Sequence, residues 1–119
     1  MIQSILQWLQ TWYQNECNGD WEHGFGIHIT TIDNPGWHIQ IGLTDTELDG
    51  LEIAYSLEER AGNDWYGISI KNNKYDAAGD PSKLTFLLES FQALVESKRK
   101  QQLTEYLDKS FPGRWHTRE

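Results

Sequence analysis

Residues 19–37 read GDWEHGFGIHITTIDNPGW, and their spacing sets what the rest of the chain must do. A Gly19-Asp20 turn and the cluster Trp21, Glu22 and His23 lead into a run that alternates as a strand does. Phe25, Ile27 and Ile29 point one way and His28 and Thr30 the other, because successive strand side chains face opposite sides. Asp33-Asn34-Pro35-Gly36 suits a tight reversal: Pro fixes φ, Gly tolerates positive φ, and Asp and Asn bond to backbone. Trp37, Ile39, Ile41 and Leu43 alternate on the way back, which makes a β-hairpin with one apolar face to be covered. Cross-strand partners share a face, and the apolar residues on both arms are odd-numbered, so the loop holds an odd number of residues. The simplest loop is Asn34-Pro35-Gly36 with Gly36 at positive φ. That pairs Asp33 with Trp37 and Ile29 with Ile41, and puts His28 opposite Gly42 and Ile32 opposite His38.

Upstream, residues 2–16 carry Ile2, Ile5, Leu6, Leu9, Trp12 and Tyr13 at helical spacing, with Trp8 beside that stripe and glutamines elsewhere. Asn18-Gly19 is the expected stop, since Gly takes the left-handed conformation readily. Downstream, Thr44 to Gly50 is acidic and turn-like. Ile53, Tyr55 and Leu57 alternate as a third strand, and Tyr66, Ile68 and Ile70 as a fourth after a turn at Arg60–Asp64. Asn72–Gly79 reads as a loop, with at most a short edge strand at Tyr75. Asp80 as N-cap and Pro81 in the first turn start a helix whose stripe is Leu84, Leu87, Leu88, Phe91, Leu94 and Val95. Lys98-Arg99-Lys100 suits its C-terminal end. Leu103, Tyr106 and Leu107 form a second stripe, rotated by about a third of a turn at ~100° per residue, so a bend is expected near 97–101 and a short helix to Lys109. Trp115 is expected to pin the tail. Helices segregated from strands imply an α+β architecture: an antiparallel meander of about four strands under an N-terminal helix and one or two C-terminal helices, as one domain over 1–119.

Charge is distributed unevenly. No Lys or Arg precedes Arg60, whereas ten carboxylates do, and all ten cations follow with the remaining eight carboxylates. The first 59 residues therefore carry −10 of a total of −8. Such a field repels nucleic acid and anionic membrane and attracts basic partners; it also serves solubility. Cys17 is the one cysteine, so no internal disulfide and no cysteine-rich zinc site can form. The uncharged, glutamine-broken start is unlike a signal peptide, and no apolar run has the length of a membrane span, which points to the cytoplasm.

Chemistry is sparse. Glu22, His23, His28, His38 and His116 lack metal-ligand spacing, and no phosphate-binding glycine pattern occurs, so no metal or cofactor is expected. Cys17 ends an apolar helix face with no cation near it in sequence, which suits a core or half-buried structural thiol better than a nucleophile. Asp20 and Glu22 could work as an acid–base pair or merely bond to backbone. Trp12, Trp37 and Phe91 belong to core faces. Trp21, between Asp20 and Glu22, and Trp65, beside Asp64, admit two roles. They close the ends of the core, or they form an acid-and-aromatic grip for Lys or Arg.

Leu9-Gln10, Trp12-Tyr13, Cys17-Asn18-Gly19-Asp20-Trp21-Glu22-His23, Ile32-Asp33-Asn34-Pro35-Gly36-Trp37, Asn63-Asp64-Trp65 and Gly79-Asp80-Pro81 with Leu84 follow in order. The set resembles the immunity protein 53 family of bacterial polymorphic toxin systems over about residues 5–95, leaving the tail beyond Lys98 outside. The resemblance implies a small intracellular α+β protein that binds and neutralises a cognate toxin and has no catalytic residues. The expected partner is a toxin with a basic surface, not nucleic acid or membrane. Asp20, Trp21, Glu22, Asp45, Glu47, Asp49, Asp64 and Trp65 are the candidate contacts. The competing functions are a small enzyme of sulfurtransferase type using Cys17, and a small-ligand module lined by Trp21, Trp37 and Trp65.

Overall fold

The computed structural model describes residues 3–110. Eight elements follow in order: α1 (Ile5–Glu16), α2 (Trp21–Gly24), β1 (Ile27–Ile32), β2 (Gly36–Gly42), β3 (Ile53–Ala61), β4 (Asp64–Lys71), β5 (Lys74–Gly79) and α3 (Leu84–Ser110). The α+β architecture is as the sequence implies, with helices on one face of an antiparallel sheet. The sheet has five strands rather than four, in the order β1-β2-β5-β4-β3, so it is not a simple meander. The expected loop at 72–79 is in fact its central strand. Asn72 and Asn73 both take positive φ (54° and 58°), which makes the two-residue reversal that suits strand twist and joins β4 to β5. Small side chains made β5 look like a loop, yet Ala77 and Gly79 are what a strand under a helix requires, and Tyr75 and Ala77 are fully buried.

The hairpin forms with the expected parity but slipped by two residues. Ile29 pairs with Ile39, His28 with Gln40 and Ile32 with Gly36, so the loop is Asp33-Asn34-Pro35 and its Asn34–Pro35 peptide is cis. Gly36 is not among the residues at positive φ, which overturns the expected reason for a glycine there. It starts β2, and an added Cβ would collide with the carbonyl oxygen of Gly79 on β5. Close approach of two backbones therefore explains Gly36.

α1 starts one turn later than expected, at a capping box. Ser4 Oγ accepts from the Gln7 amide (3.1 Å) while Gln7 Oε1 accepts from the Ser4 amide (3.2 Å). Its buried face is Trp8, Leu9 and Trp12; Leu6 lies outside, rotated away from the sheet. The rings of Trp12, Trp8 and Tyr75 surround Phe91 of α3 at 4.9, 6.1 and 5.2 Å, so α1, α3 and the central strand share one aromatic cluster. Edge-to-face packing of this kind adds about 0.5–1.5 kcal/mol per pair to area burial. The Tyr75 hydroxyl, raised above its ordinary pKa by burial, donates to the Leu87 carbonyl (2.8 Å) and pins the helix to the strand.

Two expectations for α3 need correction. Asp80 does not cap the helix but the turn before it, since its Oδ1 accepts from Ser82 N (2.8 Å) and Ser82 Oγ (2.6 Å). The helix then runs unbroken to Ser110. No Gly or Pro interrupts 84–110, and no described residue beyond Val95 is fully buried. The rotated second stripe therefore marks a helix leaving the core, not a bend. Leu103 and Tyr106 are exposed accordingly. The segment expected to carry Trp115 lies outside the described residues.

Candidate functional site

Because α1 and α3 cover one face, the other face of the sheet has no helix on it among the described residues. Strand parity fixes which side chains it shows. Ile39, Ala77 and Ile68 form one row of partners on the helix side, as do Ile41, Tyr75 and Ile70. Tyr66 is on that side too, its ring 4.6 Å from Phe86. His38, Gln40, Asp76, Ala78, Trp65, Gly67 and Ser69 consequently face outward.

A register shift on β3 brings further residues to this face. Between Ile53, which pairs with Ile70, and Ser56, which pairs with Ile68, the strand carries an extra residue. The expected single face of Ile53, Tyr55 and Leu57 is thus broken: Ile53 stays on the helix side, while Leu57 pairs with Gly67. The Tyr55 ring lies over Gly67, with its Cε1 2.8 Å from where a Cβ would stand. Glu59 pairs with Trp65. Tyr55 (65% exposed), Leu57 (48%), Glu59 and half-buried Trp65 thus form a patch of aromatic, aliphatic and anionic groups. Sequence reading missed Tyr55, Leu57 and Glu59, because alternation alone cannot announce a bulge. The one legible signal was Gly67, a bare position between Tyr66 and Ile68.

The other candidate contacts are scattered. Trp21 is buried, its ring 5.7 Å from Trp12 and 5.8 Å from Tyr13, so it closes the core and is not a surface anchor. Its Nε1 has no hydrogen-bond partner among the described residues. Glu22 folds back to accept from the amides of Asn18 (3.0 Å) and Gly19 (2.8 Å), and hydrogen bonds from backbone, its own amide first, hold its carboxyl below the usual pKa. Asp20 is exposed and caps nothing with its side chain.

Asp45, Glu47 and Asp49 are not three loose loop charges. Asp49 accepts from the Asp45 amide (2.8 Å) and Asn73 Nδ2 (2.9 Å), which lower its pKa in that order. Glu47 accepts from buried Trp12 Nε1 (3.1 Å) and from Arg99 Nε (2.8 Å). Glu16 lies near enough to Glu47 that burial first, and that charge second, raise its pKa. Only the Asp45 side chain is exposed and unengaged. Asp64 and Trp65 stand at the opposite end of β4 from Asn73, about 23 Å away at ~3.3 Å per residue. Asp64 pairs with Lys83 (2.8 Å), which also reaches buried Asp80 (2.7 Å).

Cys17 is exposed rather than half-buried. It follows α1, its amide donating to the Tyr13 carbonyl (3.2 Å), and its side chain raises the Tyr13 pKa. The three rings of the ligand-module reading do not meet: Trp21 is in the core, Trp37 on the helix side donates to the Pro81 carbonyl (3.0 Å), and Trp65 is on the open face. No helix is long and apolar enough to cross a membrane, and no group of three potential metal ligands occurs, among the described residues.

Against known proteins, the sequence model of the family described as Immunity protein 53 matches residues 6–96, most of the chain. Neither a curated protein nor a solved structure matches.

Proposed function

Since the chain belongs to the immunity protein 53 family, we propose that it binds a cognate toxin and neutralises it by covering a basic surface. The open sheet face carries this reading. Tyr55 and Leu57 are exposed there beside Glu59 and Trp65, which is the chemistry that grips Lys or Arg through charge and ring face together. Its β3 residues lie at the end of a sequence segment of 59 residues with no cation. Asp20, Asp45 and Asp64 are the other charged contacts in this reading. Glu22, Glu47 and Asp49 shape the surface through their internal bonds, and Trp21 supports it from beneath. A catalytic role for Cys17 has less support: it sits at the negative pole of α1, not the positive pole that favours an anionic nucleophile.

Co-expression with the toxin encoded by the neighbouring gene is the test. The double variant Tyr55→Ala/Glu59→Lys should lose protection of the cells while keeping its thermal midpoint. Full protection by a folded double variant would overturn the proposal.

A further inference from the structure

The sheet ends in two edges that differ in kind. β3 carries Glu58, Glu59 and Arg60 and is irregular between Ile53 and Ser56 and again between Glu59 and Ala61. Charges and bulges are how natural sheets keep other strands from pairing with an edge. β1, with sequence IHITTI, has neither. It holds no Asp, Glu, Lys, Arg or Pro, and its ladder with β2 runs through six consecutive pairs.

The free groups on that edge can be identified. The Gly42 amide donates to the Gly26 carbonyl (3.1 Å), so Gly26 and Gly42 form a hydrogen-bonded pair. Antiparallel pairs alternate between bonded and non-bonded. The N–H and C=O groups of Ile27, Ile29 and Thr31 therefore point away from β2, and no described residue bonds to them. Ile29 is 39% exposed although it is on the helix side, so the helix layer stops short of the edge.

A regular row of outward donors and acceptors has one matching shape, an extended chain. We infer that β1 receives a strand from the basic toxin of the preceding section, on which this inference rests. The strand's backbone pairs with Ile27, Ile29 and Thr31, and an apolar side chain of it covers Ile29. A second copy of this chain would also offer a strand, but each copy brings a charge of −8 and a β1 set in a segment without cations. A strand bearing Lys or Arg instead meets exposed Asp33 in the turn after β1. From β1 to β3 the sheet spans about 19 Å at ~4.8 Å per strand, so one partner on the open face reaches both the Tyr55 patch and this edge.

The test uses the full-length protein with the purified, catalytically inactivated product of the neighbouring toxin gene, and residue-resolved amide exchange. The amides of Ile27, Ile29 and Thr31 should exchange rapidly in the free protein and at least about tenfold more slowly in the complex. Thr31→Pro removes one outward donor without touching the ladder to β2 and should weaken binding by about tenfold, whereas Thr31→Val keeps the donor and should bind as wild type. A complex in which those amides still exchange rapidly would overturn strand addition and leave toxin binding standing. Wild-type affinity of a folded Thr31→Pro would do the same. Absence of any complex would overturn both. Protection of the same amides in the free protein, with the mass of a dimer, would assign the edge to a second copy and overturn the proposal. The exchange measurement needs no variant, so it decides the matter even if Thr31→Pro fails to fold.

Discussion

Glu47 shows how a single residue can belong to the surface by sequence and to the interior by structure. It stands in an acidic turn, yet its two oxygens take the indole N–H of buried Trp12 and the guanidinium of Arg99. Glu47→Lys removes the acceptor from a buried donor and sets a cation beside Arg99, so it should cost about 1–3 kcal/mol. Asp45→Lys, two residues away with its side chain free, should stay within about 0.5 kcal/mol. Urea midpoints of the two variants measure the difference. Asp80 gives a pH-dependent counterpart. Lys83 first, then the Ser82 hydroxyl, hold its carboxyl well below the usual carboxylate range, and it is also bonded to the Trp65 amide (2.9 Å). A carboxylate whose folded pKa is depressed stabilises the fold above its unfolded pKa, about 3.9, and that contribution fades as pH falls toward the lower folded value. Asp80→Asn should therefore be less stable at neutral pH and lose less stability between about pH 4 and pH 2. Denaturation at a series of pH values reads this directly; parallel curves for the two proteins would refute it.

At the scale of elements, periodicity carried the helices and most strands, and it failed where backbone geometry intervened. The stripe Leu87, Leu88, Phe91 and Val95 was legible because each faces the sheet. The second stripe was legible too, but rotation of a stripe cannot tell a bend from a helix that has run past its core. Leu103→Lys and Tyr106→Lys should consequently change stability by no more than about 0.5 kcal/mol, whereas Phe91→Ala, at the centre of three rings, should cost about 3–5 kcal/mol. The β5 strand was hidden by Ala77, Ala78 and Gly79, of which Ala77 and Gly79 are buried under the helix layer. In the hairpin, parity gave the faces but not the register, because a three-residue loop at 33–35 and one at 34–36 divide the alternation differently by only one pair. Gly36→Val still should destabilise, by about 1–3 kcal/mol, through collision with the Gly79 carbonyl and not through φ. A Gly36→Ala variant with an unchanged midpoint would contradict that cause.

For the whole molecule, two sequence blocks were enough to indicate the immunity protein 53 family, and the family match agrees with them. The candidate contacts were less legible. Acid beside tryptophan in sequence left Trp21 between a surface grip and the end of the core, and in fact Trp12 and Tyr13 enclose it. The patch that the open face does present depends on a bulge between Ile53 and Ser56 and on cross-strand pairing of Glu59 with Trp65, both non-local. Glu59 ends a cation-free run of sequence, and complementary charge mainly speeds encounter and selects partners. Association with a basic toxin should slow as salt rises. The most direct measurement is the affinity of the purified toxin for wild type and for Tyr55→Ala/Glu59→Lys, by titration calorimetry at low and at high salt. At least about a tenfold loss in the double variant at low salt, with its unfolding midpoint nearly unchanged and the wild-type affinity falling at high salt, is the expected result. Equal affinity of the two proteins at both salt concentrations would contradict toxin binding by the open sheet face.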